Sequence, residues 1–217
     1  MRIPGILSSA CFSSSLLVAL MVSSSRATVV WNESVNGDLS NNQAAPTPIT
    51  LSSGINSVIG TVTGGTDTQD WIALTIPTGF QLNSDVLESY QSTDSQGFTG
   101  VQAGSSFVGS VNSAASYLGY SHFGTGATNG SLPPTNLVGV DLLALMGNNV
   151  TISPGSHGFT PPLPSGTYTF LIQQLGATTA YQFDYGVTAV PEPTSMGLLT
   201  GGAILALRRR NRRSSAV

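Results

Sequence analysis

The sequence predicts an all-β fold, an antiparallel β-sandwich with one short helix, for the central residues 28–190. Two observations favour this class. Only 8% of the chain is charged, and the central part is rich in Gly, Ser, Thr and Asn, a composition poor in helix formers. Several stretches also alternate apolar with polar residues, and turn residues separate them at the spacing of short antiparallel strands.

The last two predicted strands, 167–175 and 180–188, carry the clearest pattern. They flank a short turn at 176–179, and the second strand alternates strictly. One face is predicted to lie in the core: Tyr181, Phe183, Tyr185 and Val187. The other face is predicted to lie outside it: Gln182, Asp184, Gly186 and Thr188.

Earlier parts of the chain predict further strands at 29–31, 55–63, 71–76, 80–90, 101–111 and 115–123. Pro77 and Gly79 mark a turn between the third and fourth of these. The segment 141–146 predicts the one helix, with Asp141 as its N-cap and Gly147 as its stop, although a buried strand is an alternative.

Charge is distributed very unevenly. All seven basic residues lie in the two ends of the chain, and ten acidic residues less Glu192 leave nine in 28–190 against no Lys or Arg. Nucleic-acid binding is excluded for this part, because contacts to phosphate need cations. Each carboxylate must therefore be solvated, hydrogen bonded or bound to a metal ion.

The N-terminal residues 1–27 have the layout of a secretory signal peptide. Arg2 precedes an apolar run at 16–22, and small residues at Ser25 and Ala27 precede a cleavage site after Ala27. This predicts export through the Sec system and removal of the segment by signal peptidase. Cys11 leaves with it, so the mature chain is expected to fold without disulfides.

The C-terminal residues 191–213 contain three successive elements. Pro191, Glu192 and Pro193 form a stiff extended motif, and an uncharged apolar run follows at 196–207. A cluster of arginines ends it: Arg208, Arg209, Arg210, Arg212 and Arg213. The apolar run predicts a membrane helix shorter than the roughly 20 residues of a full span, with the arginines in the cytoplasm. The alternative is a buried core helix with a basic end.

This order of elements resembles the PEP-CTERM sorting signal of Gram-negative bacteria. The resemblance implies recognition by an exosortase, a membrane protease-transpeptidase, with Pro191, Glu192 and Pro193 as the processing motif. It also implies a transient anchor in the inner membrane, followed by transfer to the cell surface or the extracellular matrix.

Two central segments, 60–79 and 163–183, resemble the bacterial pre-peptidase C-terminal domain. Gly60, Asp70 and Trp71 in the first and Gly166 and Phe170 in the second belong to the matching stretches. The resemblance implies a small jelly-roll-like β-sandwich that serves as an accessory module.

The loop 64–70 is the candidate metal site. It places Asp67 and Asp70 among Thr hydroxyls and free carbonyls, and calcium prefers such oxygen ligands. The alternative is that Asp67 caps a turn while Asp70 stays solvated.

No catalytic residue can be assigned from the sequence. His122 and His157 lie in Gly-rich stretches typical of loops, and the chain has no Gly-x-Ser-x-Gly motif or Cys/His zinc spacing. We therefore expect a non-enzymatic surface or matrix protein. The alternative is a module that binds extracellular polysaccharide through Trp31, Trp71 or Tyr120, and exposure of aromatic rings together on one sheet face would favour it. A hydrolase would require one histidine to meet a carboxylate and a hydroxyl in a cleft.

Overall fold

The computed structural model describes residues 26–191. It contains eight strands: β1 Thr28–Asn32, β2 Thr47–Thr50, β3 Gly54–Val62, β4 Gln69–Ser92, β5 Gly97–Ala103, β6 Gly119–Phe123, β7 Leu163–Gln173 and β8 Thr179–Ala189. Two short α-helices, α1 Glu33–Asn36 and α2 Leu143–Gly147, and a 3-10 turn at Ala114–Ser116 complete it. The all-β prediction is confirmed.

The eight strands form one hydrogen-bonded sheet in the order β1-β3-β8-β4-β7-β5-β6, with β2 also beside β4. The long strand β4 folds this sheet into two layers. Its first residue, Gln69, pairs with Gln173 and its last, Ser92, pairs with Thr179, so both ends lie beside the short β7–β8 loop. The chain must therefore reverse within β4. The pairing register shifts between Ile76 and Gln81, where the turn was predicted, but the strand continues through these residues, so the two predicted strands 71–76 and 80–90 are one.

The first layer contains β2, the first half of β4, β7, β5 and β6, and the second contains β1, β3, β8 and the second half of β4. Two edge pairings, β1 with β3 and β2 with β4, are parallel, so the predicted antiparallel arrangement does not extend to them. The reason lies in the connections. β1 reaches β3 through α1 and β2, and β2 reaches β4 through β3, and such crossovers allow parallel neighbours.

The main core lies between the two layers. Tyr181, Phe183, Tyr185 and Val187 of β8 are at most 1% exposed, while the alternate residues are half-buried or exposed, as predicted. Rings from the two layers meet edge to face, with centroids 5.2 Å apart for Phe123 and Phe183. Full burial of such side chains is worth about 1.5–3 kcal/mol each and is the main stabilising term of the sandwich.

A second, smaller core lies on the outer face of the first layer. It contains Trp71, Phe107, Tyr117 and Leu171. The predicted strands 101–111 and 115–123 are wrong in part, because β5 ends at Ala103 and residues 104–118 leave the sheet to cover Trp71. The centroid of the Phe107 ring lies 4.9 Å from that of the Trp71 ring. Burying these two rings contributes more to stability than extending strand β5 would.

The helices differ in detail from the prediction. Helix α2 begins at Leu143, two residues late, and Gly147 is its last residue. Asp141 still stabilises the first turn of the helix, because its Oδ1 accepts a hydrogen bond from the Leu143 N–H at 3.0 Å. Helix α1 was missed, although Asn32 caps it by accepting the Ser34 N–H. No helix within residues 26–191 is long and apolar enough to span a membrane. The predicted membrane helix, and all but the last two residues of the signal segment, lie outside the described residues.

Candidate functional site

A groove of about 410 Å³ opens on the outer face of the first layer, next to the smaller core. Its walls combine aromatic rings with side-chain amides: Phe98, Tyr117, Tyr120 and His122, with Gln96, Asn112, Gln173 and Gln174. This volume falls within the range of small-molecule sites, about 300–1,000 Å³. We call it the aromatic groove.

Strand register brings these side chains together. Phe98 of β5 pairs with Gln173 of β7 on one side and with His122 of β6 on the other, so all three lie on one face. Two residues further along β5, Gly100 pairs with Tyr120. A Cβ on Gly100 would lie 2.6 Å from the Tyr117 ring, so glycine is required for that ring to lie on the sheet.

The aromatic rings in the groove are held in fixed positions. Those of Phe98 and Tyr120 are tilted by only 30°, with centroids 5.7 Å apart. The Tyr120 hydroxyl donates a hydrogen bond of 2.8 Å to the carbonyl of Pro154, which fixes the ring plane. Both rings are half-buried, so each keeps an accessible surface.

The groove is electrically neutral. No carboxylate is among the residues that line it, and burial lowers the pKa of His122, which favours its uncharged form. The amides of Gln173 and Asn112 form no hydrogen bond with other residues of 26–191, whereas Gln174 donates to the Gln96 carbonyl at 2.7 Å. Free amides beside aromatic faces can bind hydroxyl groups as both donors and acceptors.

Of the three predicted sugar platforms, only Tyr120 lines the groove. Trp71 is fully buried beneath Phe107, so that prediction is wrong. Trp31 is half-buried elsewhere, and its ring N–H donates to the Gly37 carbonyl at 3.1 Å. Phe98 was not predicted as a site residue, although its alternation with Gly100 along β5 was a usable signal.

The two histidines occupy different surroundings. His157 is exposed, and His122 is half-buried in β6 against Phe98, with ring centroids 5.7 Å apart. Within residues 26–191 neither ring hydrogen bonds to a carboxylate or to a serine hydroxyl, so the arrangement of a catalytic triad is not formed there.

A cluster of carboxylates lies where β4 begins. Oxygens of Glu33, Asp38 and Asp70 lie within 4.8 Å of one another. Asp70 is 0% exposed, and its Oδ2 accepts a 2.5 Å hydrogen bond from the Tyr181 hydroxyl, while its Oδ1 is buried without a hydrogen-bond partner. We call these three residues the acidic cluster.

Glu33 is held by donors from two directions. Its Oε1 accepts the Leu39 N–H at 3.2 Å, and its Oε2 accepts both the N–H and the hydroxyl of Thr61 at 2.6 and 2.9 Å. Burial raises the pKa of Glu33 despite these donors. Burial, together with the charges of Glu33, Asp67 and Asp38, raises the pKa of Asp70 to about 8, although the hydrogen bond from Tyr181 lowers it.

The predicted metal ligands, Asp67 and Asp70, are placed differently from each other. Asp70 belongs to the acidic cluster, whereas Asp67 lies beside it and contributes negative charge. Glu33 and Asp38 were missed, because they are distant in sequence from Asp70. The pairing of β1 with β3 and the bridge between Ser40 and Trp71 bring them near it. The one available signal was the absence of Lys and Arg from 28–190.

The groove and the point where the chain leaves the sandwich, at Val190, lie at opposite ends of the sandwich. Gln173 and Gln174, at the end of β7, line the groove. Val190 donates to the Gly79 carbonyl at the other end, and Pro191 follows it at the surface. β7 alone spans about 30 Å between these ends. Glu192, Pro193 and the arginine cluster lie outside the described residues.

Comparison with known proteins supports the C-terminal motif. The family model of the PEP-CTERM protein-sorting motif matches residues 189–213. No curated protein matches the sequence. The resemblance of the central segments to the pre-peptidase C-terminal domain stays a prediction. The chain carries a PEP-CTERM sorting motif, which marks it as an exported protein that is anchored transiently in the membrane and processed by an exosortase.

Proposed function

We propose that this exported protein is a non-enzymatic surface or matrix component whose β-sandwich binds neutral polysaccharide in the aromatic groove. The observation that carries the proposal is the pair of half-buried rings, Phe98 and Tyr120, on one sheet face beside the free amide of Gln173. Ring faces pack against the apolar C–H surface of a sugar, and the amides hydrogen bond its hydroxyl groups.

Charge favours a neutral polymer over an anionic one. Residues 28–190 have nine carboxylates and no Lys or Arg, so this part of the protein repels polyanions. The groove itself offers neutral donors and acceptors. Hexose chains without carboxylate or sulfate groups fit these properties best.

Binding without hydrolysis agrees with the groove's chemistry. Glycoside hydrolysis uses two carboxyl groups that flank the bond to be broken. The groove lining has none, and its histidine ring, that of His122, is packed edge to face against Phe98.

The position of the groove suits a protein that is first anchored by its C-terminal motif. The chain leaves the sandwich at Pro191, and the groove lies at the opposite end, next to the β7–β8 loop. A polymer can therefore reach the groove while the tail is still in the membrane.

The test is affinity electrophoresis of the full chain through gels containing neutral polysaccharides, in parallel with acidic ones. Tyr120→Ala should weaken binding to the neutral polymer at least about tenfold, because it removes one ring of the platform. Phe80→Ala is a matched control, since Phe80 is also half-buried but lies at the other end of the sandwich.

Near-UV circular dichroism should show that both variants keep the native fold. Equal retardation of the parent and Tyr120→Ala by the neutral polymer would contradict the proposal. Binding only to acidic polysaccharides would also contradict it.

A further inference from the structure

We propose that the acidic cluster, Glu33, Asp38 and Asp70, is a calcium site. This inference rests on contacts separate from the aromatic groove and does not depend on the proposed binding of polysaccharide.

The spacing of the three carboxylates suits this ion. Calcium holds oxygen ligands at about 2.3–2.6 Å, so ligands on opposite sides of one ion are about 4.8 Å apart. Oxygens of all three residues lie within 4.8 Å of one another. Bidentate binding by some of the carboxylates, with water, can supply the six to eight oxygens that calcium takes.

A second, independent observation points to a missing ligand. Asp70 is completely buried, and its Oδ1 has no hydrogen-bond partner. A buried polar atom without a partner costs about 1–3 kcal/mol, and more when it is charged. Because residues 28–190 contain no Lys or Arg, no such side chain of that segment can compensate this carboxylate.

The surroundings hold the ligands in place before any ion binds. Thr61 and Leu39 orient Glu33, and Tyr181 orients Asp70 through the bond to its Oδ2. Gly60 makes the room for this arrangement, because a Cβ there would collide with the Tyr181 hydroxyl and lie 3.2 Å from the Glu33 Cδ. Such a preformed set of oxygens binds an ion at a lower entropic cost.

The donor chemistry selects calcium among common cations. All three ligands are carboxylate oxygens, whereas zinc sites contain at least some His or Cys ligands. Magnesium requires a near-ideal octahedron and keeps most of its water, but calcium tolerates an irregular set of protein oxygens. An exported protein also needs only the modest affinity of extracellular calcium modules, a Kd of about 0.1–1 mM.

The test is the Tm of the full chain in mild detergent, measured in EDTA, in calcium and in magnesium. Calcium at a hundred times its Kd should raise the Tm by about 5–10 °C, because it binds only the folded state. Titration calorimetry should give one site. Asp70→Asn and Asp38→Asn should each remove most of the rise.

The variants separate binding from folding. In EDTA, Asp70→Asn should melt no lower than the parent, since the amide oxygen can still accept the hydrogen bond from Tyr181. Asp38 is exposed, so Asp38→Asn should not unfold the protein. Glu88→Gln, a change at an exposed carboxylate away from the cluster, should keep the full response to calcium.

Three results would overturn the assignment. They are an unchanged Tm between EDTA and about 100 mM calcium, a hundred times the upper end of the expected Kd range, a full response in both Asp70→Asn and Asp38→Asn, and an equal response to magnesium. The third would indicate a nonspecific effect of divalent cations.

Discussion

Strand β4 contains two buried carboxylates, Asp70 in its first half and Asp85 in its second, and their surroundings differ sharply. Both are 0% exposed, and burial raises the pKa of both, that of Asp70 to about 8 and that of Asp85 well above its usual range. In a domain without Lys or Arg, neither can be neutralised by the usual ion pair.

The contacts of the two residues differ in kind. Asp70 accepts a hydrogen bond from Tyr181 and lies beside Glu33 and the exposed Asp38. Neither oxygen of Asp85 has a hydrogen-bond partner.

The neighbours of Asp85 do not help it to ionise. Asp141 raises its pKa further, and the pKa of the buried Tyr185 is itself raised by burial and by the charges of Asp85 and Asp184. The two buried acids therefore differ in their surroundings: Asp70 lies among other carboxylates, one of them exposed, whereas Asp85 is enclosed and burial favours its protonated form.

The largest expected effect is on the pH dependence of stability, through Asp85. A carboxyl group whose pKa is raised in the folded state binds more protons when folded than when unfolded. Its stabilising contribution is therefore complete below about pH 4, the unfolded pKa, and is lost as the pH rises through the folded pKa. The free energy of unfolding, measured in EDTA by urea titration, should fall by up to about 1.4 kcal/mol for each pH unit.

Asp85→Asn should reduce this pH dependence, because an amide cannot ionise. Glu88→Gln is the control and should leave the profile unchanged. An identical profile for Asp85→Asn and the parent would show that Asp85 does not keep its proton in the folded state.

The next prediction tests the Tyr181 hydroxyl, whose hydrogen bond to Asp70 has no counterpart at Asp85. Tyr181→Phe removes the donor to Asp70 Oδ2 and should lower the free energy of unfolding in EDTA by about 1–3 kcal/mol. Tyr185→Phe is matched, since Tyr185 is as deeply buried on the same strand face but donates no hydrogen bond within residues 26–191. It should cost less than about 1 kcal/mol. Equal losses of unfolding free energy in urea titrations of the two variants would contradict a stabilising role for the hydrogen bond between Tyr181 and Asp70.

The smallest effect concerns Asp141. Its Oδ1 accepts the backbone N–H of Asp85 at 2.8 Å and that of Leu143 at 3.0 Å. Asp141→Ala should cost about 1 kcal/mol by leaving these donors unpaired, whereas Asp141→Asn retains an acceptor and should cost less. Thermal melts at one pH measure the difference, and a larger loss for Asn than for Ala would contradict this account.

The alternation of apolar and polar residues predicted much of the sandwich but failed where strands bulge. On β8 the period of two holds, and the predicted core face is confirmed. On β4 the pairing with β8 shifts between Leu82 and Ser84 and again between Leu87 and Ser89. The first shift turns Asp85 inward with Leu87, although strict alternation from Leu82 places it outside.

The candidate site residues also divide into those that the sequence predicted and those that only the structure revealed. Asp70 and Tyr120 were predicted as candidate site residues from local composition, while Phe98, Glu33 and Asp38 entered only with the structure. Trp71 looked like an exposed platform because nothing local shows that Phe107, far along the chain, covers it.

The sequence by itself determined that the protein is exported and processed by an exosortase, and which face of β8 is apolar. The sorting motif, the absence of Lys and Arg from 28–190 and the alternation of β8 are properties of contiguous residues. Only the tertiary structure decided which carboxylates meet and which rings share a groove. The reversal within β4 and the pairing of β1 with β3 bring together residues separated by long stretches of chain, and that pairing follows from burial of the whole core.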